Sequence, residues 1–137
     1  MANHPVRQFQ VRTHATSEML DITEQIEQAA ADSGVTNGYV IAFVAHTTAA
    51  VTINENADPD VKHDMLTKLE ALVPRHETYY RHAEGNSDSH VKASMFGQSV
   101  TVLLERGRLL LGQWQGVYLC EFDGPRPRSV LVKVVET

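Results

Sequence analysis

Seven histidines in 137 residues are the first feature with chemical weight. His82 and His90 flank the run Gly85-Asn86-Ser87-Asp88-Ser89, a stretch able to fold back on itself and bring two imidazoles together. Neutral imidazoles paired in this way suit zinc or another borderline divalent ion. The alternative is two solvated loop histidines, since the spacing matches no standard zinc signature. His46 sits differently. The triplet His46-Thr47-Thr48 cuts an apolar stretch, and polar groups placed there cost burial energy unless they are satisfied. Its ring is read as a metal ligand or an acid/base, with Thr47 or Thr48 donating to a ligand oxygen. Asn54-Glu55-Asn56-Ala57-Asp58 follows closely, and its carboxamides and carboxylates are expected to share a cleft with His46. His4, His14, His63 and His76 are read as ordinary solvated side chains.

A third polar segment, Glu121-Phe122-Asp123-Gly124-Pro125-Arg126, follows the glycine-punctuated stretch Gly107 to Gly116. Arg126 is a candidate phosphate clamp, because a guanidinium matches phosphate oxygens bidentately. The competing reading pairs it with Glu121 or Asp123. Trp114 and Cys120 read as core residues. The chain carries no phosphate-binding Walker loop, dinucleotide glycine fingerprint, His-Glu-x-x-His or Gly-x-Ser-x-Gly motif.

These residues must be positioned by a β-rich scaffold. Gln8 to His14 alternates with period two, as a half-buried strand does. A helix should follow, with Asp21 as N-cap, Glu24 completing a capping box, Ile22, Ile26, Ala29 and Ala30 as the apolar stripe, and Gly34 as the left-handed stop. Gly38 to Ala45 is nearly all apolar, which predicts a strand buried on both faces. Ala49 to Ile53 reads as the next strand. Asp58-Pro59 opens a second helix through Val61, Met65, Leu69, Leu72 and Val73, and Pro74 ends it. Arg75 to His90 reads as an ordered functional loop. Ser99–Glu105 and Leu109–Leu111 form a hairpin around Arg106-Gly107, and Val117–Phe122 and Ser129–Val135 are further strands. The expected fold is α+β: one compact domain over 1–137, a mostly antiparallel β-sheet sandwich with two main helices.

Composition bounds the function. Twelve Lys+Arg against 17 Asp+Glu give a formal charge of −5 with histidines neutral. Such a chain is a poor candidate for non-specific nucleic-acid binding, which needs a basic face to displace counterions. No apolar stretch approaches the roughly 18 residues of a membrane span, and Met1 to Arg12 has no signal-peptide core. One cysteine excludes an intrachain disulfide and fits a reducing cytoplasm.

The three polar segments, taken together and in order, resemble the YjbQ family, known also as UPF0047. The matching stretches are His46 to Ala49 with Asn54 to Val61, then Tyr80, His82 and Gly85 to Ser94, then Gly112 to Gly116 and Glu121 to Arg126. The resemblance implies a compact α+β domain without long extensions, assembled as a homotrimer. It also implies a thiamine-phosphate-synthase-like activity, in which a hydroxymethylpyrimidine diphosphate joins a thiazole phosphate and releases diphosphate. In such a site His46, His82 and His90 are the expected ligands of a divalent metal. Zinc suits three imidazoles, and magnesium becomes the alternative with a diphosphate substrate. Glu55 or Asp88 would serve as catalytic base or hold a metal-bound water. Arg126 and Lys92 would take phosphate oxygens, aided by hydroxyls of Thr47, Ser89 and Ser94. Three histidines with an open fourth position suit a hydrolase equally well. The competing function is a non-catalytic protein that binds a metal or a phosphorylated metabolite.

Overall fold

Over residues 4–137, which a computed structural model describes, the alternating segments pair into two antiparallel sheets. The first three residues of the expected domain lie outside the described residues. The five-stranded sheet contains β1 (Arg7–Arg12), β3 (Gly38–Val44), β5 (Ser99–Glu105), β6 (Arg108–Leu109) and β8 (Pro127–Glu136), in the order β1-β8-β3-β5-β6. The three-stranded sheet contains β2 (Glu18–Asp21), β4 (Ala49–Glu55) and β7 (Gln115–Glu121), in the order β2-β7-β4. Helices α1 (Thr23–Ser33), α2 (Pro59–Leu72) and α3 (Ser87–Phe96) complete an α+β fold. Among the described residues no helix is long and apolar enough to cross a membrane.

The core lies in two layers because the three-stranded sheet is apolar on both faces. Val51, Val117 and Leu119 point toward Val40, Ala42, Val44, Val130 and Val132 of the larger sheet, and Ile22, Ile26, Ala29 and Ala30 join them from the α1 side. On the opposite face Met19, Ala50, Tyr118, Cys120 and Phe122 meet Leu69 of α2 and Ala93 of α3. Cys120 is therefore core, and burial pushes its thiol pKa up, away from thiolate chemistry.

Several expectations hold. Asp58 caps α2 by accepting from the Asp60 N–H at 2.9 Å, with Pro59 opening the helix. Gly34 ends α1 in the left-handed region at φ 73°. Arg106 and Gly107, at φ 53° and 77°, make the tight hairpin turn.

Others are corrected. The residue capping α1 is Ile22, and no side chain closes a capping box there. Asp21 instead ends β2 and accepts from the Thr23 N–H at 2.9 Å. Of the short strand β2 only Asp21 carries an expected role, as N-cap, because four residues are too few for alternation to register. β3 is buried on one face only, since Phe43 on the other is 42% exposed. Trp114, read as core, is 56% exposed. The largest departure is α3, whose first turn occupies the end of the expected loop. Its buried positions are Asp88, Ser89, Lys92 and Ala93, while Val91 and Met95 face out. A helix with a polar inner face carries no apolar period to read.

One buried pair joins the two sheets. The Glu121 carboxylate at the end of β7 is fully buried and pairs with Arg128 of β8, itself 4% exposed. The same carboxylate accepts from Thr13 Oγ1 at 2.7 Å and from the Phe122 and Asp123 N–H groups at 3.1 Å each. Arg128 Nη2 also donates to the Thr48 hydroxyl at 2.9 Å and the Thr48 carbonyl at 3.2 Å. Gly124 completes the arrangement. A Cβ there would stand 2.3 Å from the Ala15 carbonyl oxygen and 2.8 Å from Glu121 Cγ. Removing one partner strands a buried charge, so Arg128→Met should lower unfolding stability by about 3–5 kcal/mol. Urea denaturation checks this; a loss below 1 kcal/mol would show that the pair is not needed.

Candidate functional site

The four residues between β3 and β4 carry the chain from the larger sheet to the smaller. Thr48 is pinned from below by Arg128. That anchoring leaves Thr47 exposed and His46 half-buried at the rim. The Ser129 N–H of β8 donates to His46 Nε2 at 2.8 Å and fixes the ring. Gln98, a residue the sequence reading passed over, braces the turn. With its amide nitrogen turned toward β3, the orientation that pairs donors with acceptors, it donates to the Val44 and His46 carbonyls at 2.7 and 2.8 Å.

Helix α3 forms the facing wall. His90 and Ser94, one turn apart, look across at His46 and Thr47, with Phe43 and Gln98 lining a cleft of about 700 Å³. Among the described residues no carboxylate lines it. His46 has a pKa below its ordinary value. Burial is the main cause, and the positive charges of Arg128 and Arg126 outweigh the opposing pull of Glu121. The ring is therefore neutral at pH 7.

His82 and His90 do meet. Their rings stand edge to face with centroids 5.5 Å apart. Gly85, at φ 71°, turns the chain between His82 and the start of α3. His46 and His90 line one cleft, and His90 touches His82, so the three histidines occupy one neighbourhood. Among the described residues, however, no three His, Cys, Asp or Glu side chains are grouped as ligands of one ion. The three rings are not equally suited to a metal. His82 and His90 are adjacent imidazoles able to share an ion, whereas the Nε2 lone pair of His46 is already occupied by the Ser129 N–H.

Behind α3 lies a buried ionic network. Lys92 Nζ donates to Asp88 Oδ2 at 2.7 Å and Glu70 Oε2 at 2.6 Å. Asp123 accepts from Asn86 Nδ2 at 2.7 Å, Arg126 Nη2 at 2.7 Å and Arg75 Nη2 at 3.3 Å. Ser89 Oγ donates to the Phe122 carbonyl at 2.6 Å. This revises several expected roles. Lys92, 2% exposed, turns inward on the same helical face as Asp88 and offers nothing to a ligand in the cleft. Asp88 and Ser89 are equally buried and committed to protein partners. Asp88 is thus no exposed base. Its Oδ1 and Asn86 Oδ1 are buried without a hydrogen bond, Oδ1 of Asp88 standing 3.6 Å from Arg75. Glu55 ends β4 and His46 precedes its start, so the length of the strand, roughly 20 Å at about 3.3 Å per residue, lies between them. The expected convergence of Asn54 to Asp58 with His46 does not occur. Thr47 and Ser94 do line the cleft. Arg126 pairs with Asp123, one of the two partners its sequence context offered, and its side chain stays 49% exposed. Glu121 belongs to Arg128 instead.

The chain matches the family described as UPF0047 protein YjbQ-like over residues 7–137. It is 46% identical over 130 residues to the UPF0047 protein YugU of Bacillus subtilis, covering 95% of this chain and 98% of that one. A UPF0047 protein of Methanocaldococcus jannaschii is 46% identical over 127 residues, covering 93% and 91%. Among solved structures, a conserved YjbQ/UPF0047-family protein of Clostridium acetobutylicum superposes with a TM-score of 0.92 at 46% identity, covering 94% of this chain and 99% of that one. A YbjQ-like protein of unknown function from Sulfolobus solfataricus gives a TM-score of 0.92 at 32% identity, covering 97% of each.

The network has a pH signature. Burial alone would raise the Asp123 pKa; the Asn86 hydrogen bond and the Arg126 and Arg75 guanidiniums outweigh it and hold the group below its ordinary 3.8. A carboxylate depressed in the folded state stabilises above its unfolded pKa and loses that contribution as pH falls through the folded value. Stability should therefore fall below about pH 4, and Asp123→Asn should flatten that acid limb while lowering stability at pH 7. Thermal melts from pH 7 to 2 decide it, an unchanged acid limb being the adverse result.

Proposed function

The chain belongs to the UPF0047 YjbQ-like family, and from that premise we propose that it binds a phosphorylated small molecule in the cleft between the β3–β4 turn and α3. The observation that carries this reading is electrostatic. In a chain of net charge −5, the polar groups lining this cleft, beside the apolar Phe43, Val44 and Ala45, are hydroxyls, imidazoles and an amide with no carboxylate, and two guanidiniums bear on His46. Thr47 and Ser94 would donate to phosphate oxygens, and Arg126, anchored by Asp123, would supply the positive charge.

A divalent ion, zinc with imidazole ligands or magnesium with a diphosphate, would be held by His82 and His90. Bound there, it would neutralise phosphate charge and act as a Lewis acid. The protein's own groups do the rest: Thr47 and Ser94 orient the phosphate, and the α3 wall limits its access to water. The second reading is thiamine-phosphate-synthase-like transfer. What favours it is that release of diphosphate through a carbocation-like pyrimidine needs a positioned leaving group more than a base, and the cleft holds donors and no exposed carboxylate. Binding of phosphate esters without turnover of a pyrimidine diphosphate and a thiazole phosphate, with metal supplied, would leave the binding reading alone.

For assembly we propose the homotrimer implied by the family. Its support is the outer face of the larger sheet, where Phe43 and Leu103 are 42% and 62% exposed. We place the protein in the cytoplasm, where its one buried thiol stays reduced.

Two measurements test this. Arg126→Ala should weaken phosphate-ester binding by roughly 1.5–3 kcal/mol, the usual worth of hydrogen bonds to charged groups. Calorimetric titration giving an unchanged affinity would leave Arg126 as a partner of Asp123 only. Leu103→Asp should dissociate the assembly in light scattering; a wild-type monomer at micromolar concentration would refute the trimer directly.

A further inference from the structure

His46 stands in a setting opposite to that of a metal-ligating histidine. A ligating ring gives its lone-pair nitrogen to the metal and donates its remaining N–H to a carboxylate or carbonyl. Here Nε2 faces a backbone N–H, that of Ser129, at 2.8 Å. A backbone amide can only donate, so Nε2 must carry the lone pair, and the single proton of the neutral ring resides on Nδ1. Ligation through Nδ1 would force that proton onto Nε2, where it would oppose the Ser129 N–H donor to donor. Ligation through Nε2 would strip Ser129 of its partner.

The other nitrogen is open. Nδ1 of His46 has no hydrogen-bond partner among the described residues, and it is not among the polar atoms buried without one. The ring itself forms part of the cleft wall beside Thr47, opposite His90 and Ser94. Charged groups around the ring act in the same sense. Burial first, then Arg128 and Arg126, disfavour the imidazolium, with Glu121 opposing them.

We propose that His46 is a neutral hydrogen-bond donor to the bound anion through Nδ1–H, its tautomer set by the Ser129 backbone, and is not a ligand to a metal. The inference rests on the anion-binding reading of this cleft. It assigns the ligand class more narrowly: a phosphate oxygen, an acceptor only, seated between the Nδ1–H of His46 and the hydroxyls of Thr47 and Ser94. The backbone amide makes the tautomer independent of any side chain or ion.

The experiment has two arms on the whole chain. Long-range proton–nitrogen spectra of the labelled, ligand-free protein report which ring nitrogen of His46 is protonated. The expected result is a protonated Nδ1 and an unprotonated Nε2, unchanged when zinc alone is added. In the second arm, inorganic phosphate is titrated into chelator-treated protein. His46→Ala should weaken phosphate binding at least about tenfold, or ~1.4 kcal/mol. His46→Asn, whose amide N–H can stand where Nδ1–H stood, should keep affinity within about threefold, a difference under ~0.7 kcal/mol. A protonated Nε2, a zinc-dependent loss of the Nδ1 proton, or a His46→Ala variant that binds phosphate like wild type overturns the inference while leaving the binding reading intact. Wild-type protein that binds no phosphate overturns that reading itself, and the donor role with it. The spectra of wild-type protein remain decisive where a variant does not fold.

Discussion

A carboxylate with no exposed surface must have its lone pairs met from within, and that demand on Glu121 organises the molecule. Its partners come from distant parts of the chain: Thr13 after β1, the backbone after β7, and Arg128 on β8. Arg128 passes the constraint on to Thr48, the residue just before β4. The two sheets are thus joined by a directional link as well as by apolar packing. Apolar packing tolerates sliding; a satisfied buried ion pair does not. Because Thr48 is held, the two preceding residues, His46 and Thr47, emerge at a set place on the rim.

The second constraint is α3. It is attached to the body by a polar inner face, with Lys92 between Asp88 and Glu70 and Ser89 bonded to the Phe122 carbonyl. Those bonds orient the helix so that His90 and Ser94 face the β3–β4 turn. They also explain why several polar residues of this segment, although attractive as ligands, are spent on structure. The groups left free for a ligand are those that the networks position without consuming: Thr47, Ser94, His90, one nitrogen of His46, and the exposed part of Arg126.

Charge separates the two roles. The buried carboxylates Asp88, Glu121 and Asp123 sit in the networks, where arginine and lysine pair with them, and among the described residues no carboxylate lines the cleft. An acidic protein can in this way keep a cleft clear of carboxylates, and the local field depends on nearby groups more than on net charge. The electrostatic burden on His46 is one consequence. The ring stays neutral among guanidiniums and can serve as a hydrogen-bond donor with a defined tautomer.

What the amino-acid sequence determined by itself is local. The apolar runs Gly38 to Ala45 and Ala49 to Ile53, the Asp58-Pro59 cap, the Gly34 stop and the Arg106-Gly107 turn each depend on interactions within a few residues, and each is legible in the residue types, although the burial of β3 on one face only is not. So is the neighbourhood of His46, His82 and His90, through the motifs shared with the family. The tertiary structure decided everything that depends on which group meets which across the chain. It alone turned Lys92, Asp88 and Ser89 inward, because a polar helix face is read as solvated until another polar surface covers it. It alone placed Glu55 at the opposite end of β4 from His46, since closeness in sequence along a strand is distance in space. And it alone gave His46 a backbone donor from Ser129, 83 residues away, a contact that no spacing encodes because main-chain amides are the same at every position.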